Sequence, residues 1–260
     1  MDRERTTYTV DERGIAHLTL NRPEKLNAFD RKMQAEIASA LDEVNQDQNV
    51  KLLVITGAGR YFGAGLDVKE AAQATPGAGQ QKAVWPAPAG AGDIRAISVK
   101  KVSIAALNGP AVGMSCDLAL SCDFRIMAES ATLWEAYARL MPPSAGTWLL
   151  PRMIGLQRAM EVLLLGEPIP AQKALEWGLV YQVVPDDQLE AAVDELAAKI
   201  LRYSPAVMQY AKAAVLGGLS KNLVDAMDYI GWTRYAAQNL GIVKEAARAI
   251  SEKRPPDYPA

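Results

Sequence analysis

Asp117 is the carboxylate in this chain with the clearest setting for chemistry. It lies in the stretch Asn108-Gly-Pro-Ala-Val-Gly-Met-Ser-Cys-Asp-Leu-Ala-Leu-Ser-Cys-Asp, residues 108–123. An apolar run at 102–107 reads as a buried strand, and a small-residue turn containing Gly113 follows it. The sequence then continues only as helix, with Asp117 in its first turn. A strand-to-helix turn leaves backbone N–H groups unpaired and aimed at whatever precedes the helix. The expected product is a polarising site with an acid beside it. A first-turn aspartate also complements a helix dipole without any chemistry. Glu135, a second acid just past a short strand at 132–134, equally suits a plain surface. The residues alone leave both roles open.

Other reactive side chains are few. His17 is the only histidine and sits on a strand, where a surface or rim position is expected. Cys116 and Cys122 are too few for a disulfide framework and are not spaced as metal ligands, so no metal site is expected. They fit a reducing, cytoplasmic setting. Gly57-Ala-Gly-Arg-Tyr-Phe-Gly follows a strand as a dinucleotide fingerprint would. Its context fails, because no clean helix runs across the glycines and two strands and a helix precede it.

The 260 residues are half hydrophobic, with 28 basic and 30 acidic residues and a formal net charge of −2. This near balance provides no phosphate-tracking basic stripe, so no nucleic-acid partner is expected. The opening Met-Asp-Arg-Glu-Arg-Thr-Thr-Tyr-Thr-Val has no apolar core of a signal peptide. No apolar run approaches bilayer length, so no membrane partner is expected either.

The elements that must position these residues follow from periodicity. Residues 8–10 and 15–20 flank turn residues 11–14 and predict a hairpin. Asp30 is expected to cap a helix to about Asn45, with Met33, Ile37, Leu41 and Val44 on one face. Residues 51–56 predict a buried strand, and 71–92, rich in Ala, Gly, Pro and Gln, a linker or a mobile lid. Short strands are expected at 124–127 and 132–134, and a helix start at Ser144-Ala-Gly-Thr after Pro142-Pro143. Helices are expected at 155–165 and 170–177, a strand at 178–184, and then helices alone at 189–201, 205–216, 223–240 and 243–253. The division is a mixed core over 1–185 and a helical assembly region over 186–260.

With these residues in view the chain resembles the crotonase family, the enoyl-CoA hydratase/isomerase superfamily. The matching pieces run in order along nearly the whole chain: Asn21-Arg-Pro-Glu-Lys-Leu-Asn-Ala, Phe62-Gly-Ala-Gly-Leu-Asp, Ala106-Leu-Asn-Gly-Pro-Ala-Val-Gly, Cys122-Asp123, residues 142–147, Trp177-Gly-Leu-Val and Glu252-Lys-Arg-Pro. The resemblance implies an α/β fold, a spiral of ββα units with a C-terminal helical region for trimer formation, often as a dimer of trimers. It implies an acyl-CoA thioester substrate, with coenzyme A as part of the substrate and no separate cofactor. The thioester oxygen would lie in an oxyanion hole of two backbone N–H groups, those of Leu66 and Met114. Many relatives carry glycine where Met114 stands, so its Cβ is expected to restrict the backbone there. The family's two catalytic glutamates fall on Asp117 and Glu135, the first a shortened acid. Coenzyme A would meet backbone at Ala64, Gly65, Asp67 and Val68 and the loop at Lys25, Leu26 and Ala28. Lys253, with Arg254, would reach the nucleotide phosphates from a neighbouring subunit.

A thioester carbonyl polarised by two donors acquires a more acidic α-carbon and a more electrophilic conjugated β-carbon. The acids above those carbons then decide the reaction. The primary expectation is an enoyl-CoA hydratase. An enoyl- or dienoyl-CoA isomerase using the same Asp117 and Glu135 is the alternative, although the dienoyl branch carries a further Asp where this chain has Pro143. A CoA-ester binder without chemistry and a nicotinamide-dependent reductase built on Gly57 are the rivals from other classes. Trp134, Tyr137, Met141 and Trp148 crowd the region after Glu135 and fit either an aromatic acyl group or ordinary packing.

Overall fold

Asp11 turns the start of the chain back on itself: its Oδ1 accepts from the backbone N–H groups of Arg13 and Ile15, both at 2.9 Å. In this computed structural model, which describes residues 3–70, 96–139, 145–238, 241–254, 256 and 258, the turn joins β1 (Thr6–Val10) antiparallel to β2 (Ile15–Leu20). Helix α1 (Arg31–Gln46) follows, capped by Asp30, whose Oδ1 accepts from Met33 N at 2.7 Å. Such a cap stabilises a helix by about 1 kcal/mol. The expected stripe of Met33, Ile37, Leu41 and Val44 is buried. Glu36, on the same helix, is also buried, and it accepts from the backbone N–H groups of Glu4, Arg5 and Thr6. A buried carboxylate here ties the helix to the first strand.

Strands β3 (Leu52–Gly57), β4 (Val102–Leu107) and β6 (Phe124–Ala128) continue the sheet in parallel, and β9 (Gln182–Val184) completes the order β1-β2-β3-β4-β6-β9. Every residue of β4 is buried, which a central parallel strand covered on both faces requires. A second sheet, β5-β7-β8, is formed by Ala111–Val112, Thr132–Trp134 and Ile169–Pro170. Between β5 and β6 lies α2 (Met114–Leu120), and after β7 come a 3-10 turn (Ala136–Arg139) and α3 (Gly146–Ile154). The sequence pattern predicts β7 but neither β5 nor β8, whose two residues each are too short to show a period.

The region expected as one helix at 155–165 is α4 (Leu156–Met160) running into a π turn (Glu161–Leu165). The strand expected at 178–184 shrinks to β9. Gly178, with φ +74°, continues the turn that ends α5 (Ala171–Glu176), and Leu179 N bonds back to Ala174 O. Helices α6 (Leu189–Ile200), α7 (Pro205–Gly218), α8 (Leu223–Gln238) and α9 (Ile242–Glu252) then follow with no strand among the described residues, as expected for the helical region. No described helix is long and apolar enough to cross a membrane. The lid or linker at 71–92, Pro142-Pro143, Ser144 and Met141 lie outside the described residues.

Candidate active site

Two backbone crossings fix the loop after β3, one against the segment after β4 and the other against the loop between β2 and α1. At the first, Gly63 pairs with Ala111: Gly63 N donates to Pro110 O at 3.1 Å, and Val112 N donates to Gly63 O at 2.9 Å. At the second, Leu66 is bracketed by Phe29: Phe29 N donates to Gly65 O at 2.6 Å, and Asp67 N donates to Phe29 O at 3.0 Å. In such a parallel bridge the bracketed residue turns its own N–H away from the partner. The Leu66 N–H therefore points off the Phe29 side, and it has no acceptor among the described residues.

Gly65 brings the second donor alongside. Its φ is +79°, and a Cβ at this position would lie 2.6 Å from Val112 O and 3.5 Å from Met114 N. Only glycine permits both that backbone angle and that approach. Met114 N thus lies close to the backbone that leads into Leu66, and Met114, as the first residue of α2, also has no acceptor among the described residues. The expectation that the Met114 Cβ restricts the backbone is corrected here. The demanding conformation, φ +52° with ψ −120°, falls on Gly113, while Met114 is already helical and its side chain packs on the core.

Ser115 locks this arrangement, and nothing in the sequence pattern singled it out. Its hydroxyl is fully buried, lies 2.6 Å from Gly63 O and 2.8 Å from Val112 O, and accepts from Gly65 N at 3.1 Å and Val112 N at 3.2 Å. One hydroxyl thereby joins both loops. Asn108 and Asn27 reinforce the crossing. Asn108 Oδ1 accepts from Gly57 N at 3.1 Å and its Nδ2 donates to Gly59 O at 2.8 Å. Asn27 Nδ2 donates to Ala58 O and Tyr61 O. The glycines after β3 are thus spent on a turn clamped by two asparagines, with no helix across them.

The acids come from the neighbouring strand. β5 and β7 run parallel with Val112 opposite Trp134, and Gly113 N donates to Trp134 O at 2.8 Å. Glu135 therefore leaves β7 beside the Gly113–Met114 turn. Both carboxyl groups converge on Gly146: a Cβ built there would sit 2.9 Å from Glu135 Oε1 and 3.4 Å from Asp117 Oδ1. Both side chains are buried, Asp117 at 4% and Glu135 at 1% exposure, which rules out the surface reading of Glu135.

Their environments differ. Asp117 Oδ1 accepts from Gly146 N at 2.6 Å, at the start of α3, and its Oδ2 accepts from the Tyr137 hydroxyl. Neither Glu135 oxygen accepts a well-formed hydrogen bond among the described residues. Burial, and after it the charge of Asp117, pushes Glu135 well above the ordinary carboxylate range, and the Cys116 thiol beside it opposes this. Cys116 is itself pushed well above the usual thiol range by burial and the two acids, so it is no nucleophile. The arrangement is one carboxyl group held by two donors next to another pushed toward its neutral form.

Of the residues expected at coenzyme A, the structure brings Lys25, Leu26 and Ala28 together with residues 64–68. Ala64 N donates to Leu26 O at 2.9 Å, and Leu26 and Asn27 both take left-handed backbone to allow it. Lys25 and Val68 are exposed beside this junction. The Asp67 side chain turns to Arg22 at 2.8 Å, which holds its carboxyl below the usual range. Lys253 is not joined to this cluster within one chain. It ends α9, which packs on α8, and the adjacent Arg254 pairs with Glu245 and Glu252. Of the aromatic residues, Trp134 donates through Nε1 to Gly166 O at 2.7 Å, and Trp148 is exposed under the Arg152 guanidinium. His17 is half-buried on β2, between β1 and β3, 3.6 Å from Asp11.

Comparison with known proteins meets this geometry. A family model described as enoyl-CoA hydratase/isomerase matches residues 11–260. A 1,2-epoxyphenylacetyl-CoA isomerase of Escherichia coli is 34% identical over 258 residues, covering 95% of each chain. A probable enoyl-CoA hydratase of Rhodobacter capsulatus is 34% identical over 254 residues, covering 96% of each. Among solved structures, an enoyl-CoA hydratase from Bacillus anthracis superposes with a TM-score of 0.87 at 30% identity, over 98% of this chain and 99% of that one.

Proposed function

The chain belongs to the enoyl-CoA hydratase/isomerase family, the crotonase family, and from that premise we propose that it adds water across the conjugated double bond of an acyl-CoA thioester. The observation that carries this reading is the divided pair: Glu135 is buried, without a well-formed hydrogen bond among the described residues and pushed toward its neutral form, while Asp117 accepts two hydrogen bonds beside it. Environments that push two carboxyl groups apart assign an acid and a base. Asp117 draws a proton from water as its oxygen attacks the β-carbon, and Glu135 delivers a proton to the α-carbon. The N–H groups of Leu66 and Met114 hold the thioester oxygen as it gains negative charge. Coenzyme A lies along residues 25–28 and 64–68, with Lys253 of a neighbouring subunit at its phosphates.

Assembly is part of the same reading. Helix α8 buries none of its residues, and Leu223, Val224, Met227, Trp232 and Tyr235 are exposed. A helix that carries this much apolar surface supports a homotrimer or dimer of trimers built through residues 186–260.

Isomerisation is the second reading, and one observation favours it: both Asp117 oxygens already accept bonds, so the Glu135 carboxyl is the one with open oxygens, and in its ionised form it removes a proton from one carbon and returns it to another. Crotonyl-CoA and a 3-enoyl-CoA, offered separately, decide between the two. Loss of conjugated-enoyl absorbance with the first is the expected result. A gain with the second alone replaces hydration by isomerisation, and no change across chain lengths and ring-bearing acyl groups overturns both.

A further inference from the structure

We propose that Tyr137 is a positioning residue for Asp117, and that the phenol and the shortened acid together fill the space of a longer carboxylate side chain. This rests on the acid–base reading of the pair and deepens it. Tyr137 is 6% exposed and lies on the 3-10 turn directly after Glu135. Its hydroxyl donates to Asp117 Oδ2, while Gly146 N donates to Oδ1 at 2.6 Å. The two donors come from different elements and grip opposite oxygens, so the plane of the carboxylate is set by the fold. The segment that supplies Glu135 therefore also aims the acid that Glu135 works with.

The described titratable groups facing Asp117 are Glu135 after β7, Cys116 on its own helix and Tyr137 on the 3-10 turn. Of these the phenol is the hydrogen-bond donor. Donation to the charged form of a carboxylate favours that form, so Tyr137 supports Asp117 in the role of base. Lengthening Asp117 by one methylene, about 1.5 Å of chain, drives its carboxyl into the phenol oxygen that now contacts it. Positions 117 and 137 are consequently coupled.

The experiment is a double-mutant cycle on the full-length protein, with Tyr137→Phe, Asp117→Glu and the pair combined. It is read by thioester turnover against pH and by melting temperature. Tyr137→Phe is expected to lower kcat about tenfold, the value of one hydrogen bond to a charged group. KM changes little, and the acidic limb of the profile moves to higher pH. Asp117→Glu alone is expected to lose about a hundredfold through misplacement, and adding Tyr137→Phe to recover at least about tenfold of that loss, because the space is then free. A phenol with only a structural role would lower the melting temperature and leave the acidic limb in place. An unmoved limb, or a double variant whose losses are the plain sum of the singles, overturns the proposal. Should the unmodified protein turn over neither crotonyl-CoA nor a 3-enoyl-CoA, the functional reading fails, and the melting-temperature cycle decides the coupling by itself. Non-additivity there supports the paired geometry and additivity overturns it.

Discussion

The two sides of the site are built on opposite rules. On the donor side, backbone from residues 26–29, 63–67 and 110–115 is cross-bonded through Ser115, Asn27 and Asn108, and the Leu66 and Met114 N–H groups are left without an acceptor among the described residues. On the acid side, Glu135 is left without a well-formed bond in a buried place. The donor side holds its geometry by satisfying most of the backbone groups around Leu66 and Met114. The acid side leaves one titratable group unsatisfied, at a cost in stability, and the proposed function draws its reactivity from that group. Preorganisation and reactivity are thus assigned to different segments, and each side has its own way of failing.

Glu135→Gln separates reactivity from stability most sharply. Turnover of crotonyl-CoA is expected to fall about a thousandfold, as removal of a general acid does, while the fold is retained. Because the folded-state pKa of Glu135 is raised above its unfolded value, ionisation costs the folded state stability as pH rises from the unfolded pKa toward the folded one. The glutamine variant therefore melts at the same temperature as the original at acid pH and progressively higher above it. A variant that melts lower at neutral pH would contradict the assignment.

Gly65→Ala attacks the donor side. A Cβ 2.6 Å from Val112 O must move the backbone that carries Leu66. A loss of about a hundredfold in kcat is expected, the scale for one displaced oxyanion donor, together with a lowered melting temperature. Ser115→Ala leaves the backbone angles alone but orphans buried groups of both loops. Destabilisation of about 2 kcal/mol by urea unfolding is expected, with turnover reduced about tenfold as the two donors drift relative to one another. His17→Asn touches neither side. Its turnover and unfolding midpoint are expected to stay within about 0.5 kcal/mol of the original, and a larger loss of activity would place chemistry where none is assigned.

Much of the scaffold was legible before any coordinates. Met33, Ile37, Leu41 and Val44 announce α1 by their period and Asp30 by its capping chemistry, and the largely apolar run at 102–107 announces β4. These elements follow from local rules that a window of sequence contains. Strands β5 and β8 were not legible, since two residues display no alternation, and their pairing with β7 depends on segments far away along the chain. The turn at 178–180 was misread as strand for a related reason: Gly178 at φ +74° ends the helix pattern without ending the apolar run.

For the site, the sequence singled out Asp117 and the turn at Gly113 from the residues themselves, and Glu135 and Gly65 through the family resemblance. The sequence equally determined that one histidine and two cysteines left little other chemistry available. Only the tertiary structure decided that Val112 lies opposite Trp134, which sets Glu135 beside Met114. It alone decided that the Ser115 hydroxyl bridges two loops, and that Tyr137 turns to Asp117. The physical reason is common to all three. A side chain's type is local, whereas its hydrogen-bond partner and its solvation are set by what distant segments bring against it. The raised pKa of Glu135, produced by burial first and by Asp117 second, is a property of that packing.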